Sequence, residues 1–380
     1  MTNWIAPTLI DLSIAGTCNL SCKICNITPA PLSPMDTSLV LETISHLDDM
    51  HIQIIDLLGG EPLMRRDWSE ITEHVSHNTD MALIFSSNGV LWHEKDIQFM
   101  AALPGDLQVA ISLDGPTPFI HGQIRAPQNA KIWENIFEKT VHTIRSMKEY
   151  DIEICVNYVV TSLNYHHIFD TYSLCEDMGV KNFNIIRFYP VGVGFSHHAE
   201  LDVSHDLWAQ FVRNLAELSI TKGEFGNISV LTHFWEIFVP LIPLYGKKDA
   251  LLLTQKIAHP CSGPLYCSYR NAMTTVGCNA GITQAYIDCD GSVYPCGLIP
   301  RYELLTCGNV TGDTFLDIWE HSPVLQWIRS HNVTDIPGCS VCEYVDLCGG
   351  GCRGRALALT GDFYGPDMAC PLLSLQEDSS

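Results

Sequence analysis

Short apolar runs recur along the first half of the chain, at 8–14, 52–58, 81–86, 107–113, 152–160 and 182–188. Each is rich in Ile, Val and Leu and stops at polar or glycine residues, the pattern of strands buried in a parallel sheet. Between these runs the apolar positions change to helical spacing. The clearest segment is 131–148, where Ile132, Ile136, Phe137, Val141, Ile144 and Met147 share one face. A second is 165–178, with Ile168, Tyr172, Cys175 and Met178. Asp36 or Thr37, just before Leu39, Val40, Ile44 and Leu47, is a helix-start signal. A helix over 203–220 completes six strand–helix units. Right-handed crossovers curl such units into an open (β/α)6 partial TIM barrel, an α/β fold with its chemistry on the loops that follow the strands.

The pattern then changes. Residues 221–258 fit neither period and carry a bulky apolar patch, Phe234, Trp235, Ile237 and Phe238. A linker helix packing the barrel against the next domain is expected there, with a wall of the substrate cavity as the competing reading. Beyond 261 the chain turns glycine- and cysteine-rich, with one short helix expected over 314–330 through Phe315, Ile318, Trp319 and Leu325. The expected division is a barrel core at 1–200, a last barrel helix and linker at 201–260, and a small cysteine-rich domain at 261–375.

Composition narrows the function. A net charge of −22 repels phosphate backbones and anionic lipid, so neither nucleic acid nor membrane is an expected partner. The N-terminus lacks a basic segment followed by an apolar core, so it does not look like a secretory signal. Eleven of the sixteen cysteines lie between Cys261 and Cys370. In a reducing cytoplasm, the expected location, clustered thiols mean metal.

The first cluster is Cys18-Asn-Leu-Ser-Cys22-Lys-Ile-Cys25, directly after the first strand. Three thiolates on one loop hold three irons of a [4Fe–4S] cube and leave the fourth open to a ligand. A zinc knuckle is the alternative, but it wants four ligands and no fourth Cys or His lies nearby. This spacing after strand one of such a barrel resembles the radical S-adenosylmethionine (SAM) superfamily. Gly59-Gly60-Glu61-Pro62 resembles that family's strand-two motif, which implies contact with the methionine amine of SAM. Ser86-Ser87-Asn88-Gly89 and Ser112-Leu113-Asp114-Gly115 resemble segments lining the SAM ribose and carboxylate, with Asn88 and Ser112 as contacts. Arg125 is the expected partner of the SAM carboxylate, and Arg187-Phe188-Tyr189-Pro190-Val191-Gly192 resembles the adenine-side loop. The family often has an aromatic residue before the third Cys; here it is Ile24.

The second cluster runs Cys278-X12-Gly291-X4-Cys296, then Cys339-X2-Cys342-X5-Cys348-X3-Cys352, then Cys370. It resembles the seven-cysteine SPASM signature of auxiliary-cluster domains. A zinc ribbon accounts for some of the pairs but not for the remaining spacings. The resemblance implies two auxiliary [4Fe–4S] clusters, the nearer on Cys278, Cys296 and Cys352, the farther on Cys339, Cys342, Cys348 and Cys370. Cys267, or else Cys261, is the expected fourth ligand of the nearer cluster; an open iron there is the alternative. Cys155 and Cys175 are expected to be buried structural thiols, and Cys289 to sit in a hairpin turn at Asp288-Cys289-Asp290-Gly291.

What this implies is an enzyme, a radical SAM oxidoreductase or maturase with three [4Fe–4S] clusters. It cleaves SAM to a 5′-deoxyadenosyl radical and abstracts hydrogen from a C–H bond, and its auxiliary clusters suit an oxidative outcome. An electron donor such as flavodoxin or ferredoxin is the implied partner. The favoured substrate is a ribosomally made precursor peptide, delivered by a separate leader-binding protein, since the barrel begins near residue 8 with no preceding leader-binding domain. The alternatives are a small molecule, such as a propionate-bearing tetrapyrrole or a sugar, and a non-catalytic iron–sulfur electron carrier. No residue has a spacing diagnostic of acid–base catalysis.

Overall fold

A computed structural model describes residues 6–30, 32–126, 136–221, 227–259, 278–299, 301–370 and 372. All six expected strands are present within two residues of their apolar runs: β1 (Leu9–Ala15), β2 (Ile54–Gly59), β3 (Ala82–Ser87), β4 (Leu107–Ser112), β5 (Glu153–Val160) and β6 (Asn182–Arg187). They pair in sequence order, all parallel. The crossovers carry α1 (Thr37–Asp49), α2 (Trp68–Asn78), α3 (Glu94–Ala102), α4 (Pro118–Ile124), α5 (Ile136–Glu149), α6 (Ile168–Asp177) and α7 (His205–Thr221). Ile132, expected at the start of α5, lies outside the described residues.

Residues 221–258 differ from the expected linker. Asn227–Leu231 is a seventh parallel strand, β7, beside β6, and only then does α8 (Phe234–Ile257) begin, broken at Gly246. Five residues are too few for a period to stand out, and the bulky patch that follows dominates the local signal. The expected helix over 314–330 is two helices, α9 (Phe315–His321) and α10 (Pro323–Ser330). Pro323 has no N–H to continue α9 and instead opens α10.

The cysteine-rich part does not stand off from the barrel. Its strand β8 (Gln284–Ile287) pairs in parallel with β1, from Leu9 opposite Gln284 to Leu12 opposite Ile287. Strands β9 (Ser292–Tyr294) and β10 (Gly308–Asn309) continue the sheet antiparallel. The β8–β9 connection is the expected hairpin turn, with Gly291 N–H donating to Asp288 O at 2.9 Å and Gly291 at φ +86°. α11 (Arg353–Thr360) follows the last cysteine pair.

Alternation along each strand decides what the barrel contains. Ile10, Leu12, Ile55, Leu57, Leu83, Phe85, Val109, Ile111, Val156 and Ile185 join one core beneath the helices. The intervening residues Asp11, Asp56, Ser86, Ser112, Asn157 and Asn184 line a cavity of about 1400 Å3 inside the barrel. The barrel interior is therefore a chamber of mixed lining, in which these polar groups stand among apolar ones such as Leu9, Leu58, Ile84, Val159 and Ile186, and the main apolar core lies in the outer layer.

A buried ion network joins the two parts. Glu236 on α8 accepts from Arg187 Nη1 of β6 at 2.9 Å and from Arg355 Nη2 of α11 at 2.6 Å. Arg355 Nε also meets Asp367 Oδ1 at 2.6 Å. Burial raises the pKa of Glu236, but Arg355 and then Arg187 outweigh it and hold the carboxyl below its usual range.

Candidate active site

The Cys18–Cys25 loop leaves the top of β1 and is clipped from several sides. Gly60 N–H donates to Ala15 O at 2.7 Å and Glu61 N–H to Thr17 O at 2.9 Å. A side chain at Gly60 would collide with the Thr17 carbonyl, and one at Gly59, at φ +152°, would sit 2.5 Å from Ala15 O. Bare backbone is therefore what lets the strand-two motif dock on the cysteine loop. α4 holds the loop's centre, through Lys23 N–H to Ile124 O at 3.0 Å. From the cysteine-rich side, Cys289 O accepts from Met35 N–H at 2.7 Å, and the Asn26 amide donates to Gly297 O.

Cys18, Cys22 and Cys25 line the main cavity together with Gly59, Gly60, Glu61, Asn88, Ser112 and Arg125; Pro62, buried, opens the next turn. Glu61 is fully buried, accepting from Ser87 Oγ at 2.7 Å and Asn88 N–H at 2.8 Å. Burial outweighs these bonds and raises its carboxyl to about 7, so an ammonium beside it would be strongly favoured. Asn88 Nδ2 donates to Asn19 Oδ1 at 2.8 Å, 3.9 Å from Cys18 Sγ. Arg125 is not a solvated surface residue: its Nε pairs with buried Asp114, and its Nη1 lies 4.0 Å from Cys22 Sγ. Asp114 is fixed in turn by Val159 N–H at 2.7 Å. From the strand-six loop Tyr189 faces the cavity, whereas Arg187 turns away into the ion network.

The donor set fits an iron–sulfur group. Burial raises the Cys18 thiol to about 11 and Cys22 to about 12, so a bound cation must displace their protons, with Arg125 beside them to offset thiolate charge.

The seven later cysteines fall into two sets. Cys278, Cys296 and Cys352 line the main cavity. Burial, then the nearby Cys278 and Cys352, push the Cys296 thiol well up. Cys352 is held by its N–H donating to Asp367 Oδ2 at 2.7 Å. Gly351, at φ +77°, is bare because a side chain there would strike Asp367. Cys339, Cys342, Cys348 and Cys370 line a second cavity of about 240 Å3 with Trp235 and Tyr344. Cys267 and Cys261 lie outside the described residues.

Comparison with known proteins now decides the family. Residues 12–175 match the radical SAM superfamily, and residues 278–343 match an iron–sulfur cluster-binding domain, SPASM. The chain thus carries a radical SAM domain followed by a SPASM domain. It is 26% identical over 95% of its length to an AdoMet-dependent heme synthase of Oleidesulfovibrio alaskensis, covering 86% of that protein. To the mycofactocin maturase MftC of Mycobacterium ulcerans it is 26% identical over 96% of its length, covering 88% of the relative. Its fold matches the crystal structure of Streptococcus suis SuiB bound to precursor peptide SuiA, with a TM-score of 0.77 and 15% identity over 97% of this chain and 76% of SuiB. As a radical SAM/SPASM enzyme it uses SAM with a [4Fe–4S] cluster, together with SPASM auxiliary iron–sulfur chemistry.

Sequence reasoning missed part of the chamber. Cys155 is buried as expected, but it faces the cavity, with Asn184 Nδ2 2.9 Å from its sulfur. Asp11, Asp56, Asn157 and Asn184 line the same space. The signal was present: each is a polar residue breaking an apolar strand at period two.

Proposed function

We propose that this radical SAM/SPASM enzyme oxidises a side chain of a carboxylate-bearing tetrapyrrole. The observation that carries this reading is the nearly full-length similarity to AdoMet-dependent heme synthases. It reverses the preference for a precursor peptide that the sequence alone suggested. The size of the chamber supports it: about 1400 Å3 exceeds the ~300–1,000 Å3 of ordinary small-molecule pockets, leaving room for SAM and a large substrate.

In this reading Cys18, Cys22 and Cys25 hold the SAM cluster. Gly59, Gly60, Glu61 and Pro62 receive the SAM amine, Arg125 faces its carboxylate, and Asn88 and Ser112 contact its ribose side. Cys278, Cys296 and Cys352, with Cys267, hold the nearer auxiliary cluster, and Cys339, Cys342, Cys348 and Cys370 the farther one. When bound, these groups supply a 5′-deoxyadenosyl radical for C–H abstraction and an acceptor for the second electron. The protein's own part is to orient the substrate between the two walls of cysteines and to exclude water. A flavodoxin- or ferredoxin-type donor supplies the electrons.

The test is anaerobic incubation of reconstituted enzyme with SAM, reductant and a propionate-bearing porphyrin, with mass spectrometry of the porphyrin. The reading expects 5′-deoxyadenosine and a porphyrin lighter by two hydrogens, with or without loss of carbon dioxide. An unchanged porphyrin, alongside an altered precursor peptide in the same assay, overturns it. That second reading, peptide maturation, is supported by the similarity to mycofactocin maturases.

A further inference from the structure

The loop that carries Cys25 and the turn that carries Cys296 meet through the residue that follows each cysteine. Asn26 donates from its side-chain amide to the backbone oxygen of Gly297. The strand-six loop holds Asn26 from the other side. Gly194 N–H donates to Cys25 O at 3.0 Å, and Gly192, at φ +58°, is bare where a side chain would come within 2.2 Å of Asn26 O. Gly297 is seated on the barrel in the same way, since a side chain there would come within 2.8 Å of Asp11 Oδ2. Leu298 and Ile299 in turn pack on the bare backbone of Gly354, two residues after Cys352. A second clasp lies beside the first. Arg301 Nη1 donates to Thr28 O at 2.5 Å, while its Nε meets buried Asp288 Oδ2 at 2.8 Å. Arg301 holds φ +62°, a left-handed conformation that is costly for a residue with a side chain and persists only where the surroundings impose it.

We propose that Asn26 is a positioning residue, supported by Arg301, that fixes the nearer auxiliary cysteine set against the SAM-site cysteines. Both sets stand on loops, and a reacting centre on a loop keeps its place only through cross-links of this kind. The clasp sets the gap between the centre that makes the radical and the centre that takes up the second electron, and the substrate lies in that gap. An amide suits the position: it brings a donor to a backbone acceptor in the narrow space between Gly192 and Gly297. An apolar side chain would leave the Gly297 oxygen unpaired, and a carboxylate would set acceptor against acceptor. The inference rests on the reading that both sets hold clusters; it does not depend on which substrate the chamber takes.

The test compares reconstituted native enzyme with Asn26→Ala and with Lys23→Ala, which frees the same loop from Glu200 instead. Amide hydrogen exchange is read by mass spectrometry over the turn Cys296–Ile299, where Ile299 N–H donates to Cys296 O at 3.3 Å. Asn26→Ala is expected to keep the native iron content and to speed exchange in that turn about five-fold or more, with Lys23→Ala leaving it unchanged. SAM affinity and 5′-deoxyadenosine formation should stay within about three-fold of native, while oxidised product per 5′-deoxyadenosine falls at least about five-fold. If Asn26→Ala loses iron, Asn26→Ser, which keeps a donor on a shorter arm, is expected to hold iron and show a smaller rise in exchange; no rise there overturns the proposal. Iron missing from either set in the native enzyme defeats the cluster reading and this inference with it. Iron on both sets with equal exchange in native and Asn26→Ala enzyme, or an equal rise in Lys23→Ala, overturns this inference alone.

Discussion

The barrel and the cysteine-rich part satisfy their backbones by different means. In the barrel, seven parallel strands pair in order and the outward face of each feeds one continuous apolar core. Beyond residue 278 that core continues through Ile287, Val293, Phe315 and Trp319, and a second, smaller one is built around Ile299, Leu305, Ile336, Leu357 and Phe363. In the loops of this part outside β8–β10, buried guanidinium groups take the place of ladders. Arg329 Nε donates to Gly281 O at 2.8 Å, and Arg353 Nη1 to Phe363 O at 3.0 Å and Gly365 O at 2.7 Å. The barrel's strands are thus fixed mainly by apolar burial, which frees several inward positions for polar groups, whereas the loops of the other part rely on buried charges and, on the proposed cluster assignment, on metal–thiolate bonds.

The largest expected effect breaks the barrel's chemistry and spares its fold. Replacing Cys18, Cys22 and Cys25 with Ala should cut reductive SAM cleavage to background, a loss above about a thousand-fold. Iron should fall by one cluster, about four atoms per chain, with unchanged circular dichroism. Retention of all iron would refute the cysteine assignment.

A second experiment attacks the joint. Glu236→Ala leaves buried Arg187 without its carboxylate and Arg355 with Asp367 alone, which should cost about 3–5 kcal/mol. Anaerobic urea unfolding should show the C-terminal part melting first, because Arg355 also supports Asp367 and through it Cys352. A single unshifted transition would show that the network does not couple the two parts.

The smallest effect sharpens the barrel side. Burial lowers His121 to about 4, so in the folded protein it stays neutral where the unfolded chain begins to protonate near 6.5. The unfolded state then binds more protons, and stability falls as pH drops from about 6.5 to about 4, by up to ~3 kcal/mol. Asn in its place keeps an acceptor for the Asp114 N–H, which His121 Nδ1 now receives at 3.1 Å. The stability–pH slope of His121→Asn should therefore be shallower than that of the native protein over this window; equal slopes would argue against the buried neutral imidazole.

The same contrast sets how much was legible in the sequence. Strands β1 to β6 were, because buried parallel strands write unbroken apolar runs and helices between them write their own period. Both cysteine sets were legible as motifs, because a loop that carries several thiols must space them closely. β7 was lost, being five residues long, and β8 was lost because its partner, β1, is about 270 residues away. Asp11 and Asp56 of the chamber lining were overlooked because they sit inside runs whose apolar majority sets the strand assignment. Substrate preference was not legible for a different reason: spacing records how clusters are held, and the chamber's occupant leaves no fixed motif.

The central claim is that the barrel generates the radical and the cysteine-rich part accepts the electron. The most direct measurement is the ratio of oxidised product to 5′-deoxyadenosine in a Cys339→Ala variant shown by circular dichroism to be folded. The account predicts continued 5′-deoxyadenosine formation with the ratio falling toward zero. An unchanged ratio, or loss of SAM cleavage in that folded variant, would contradict it.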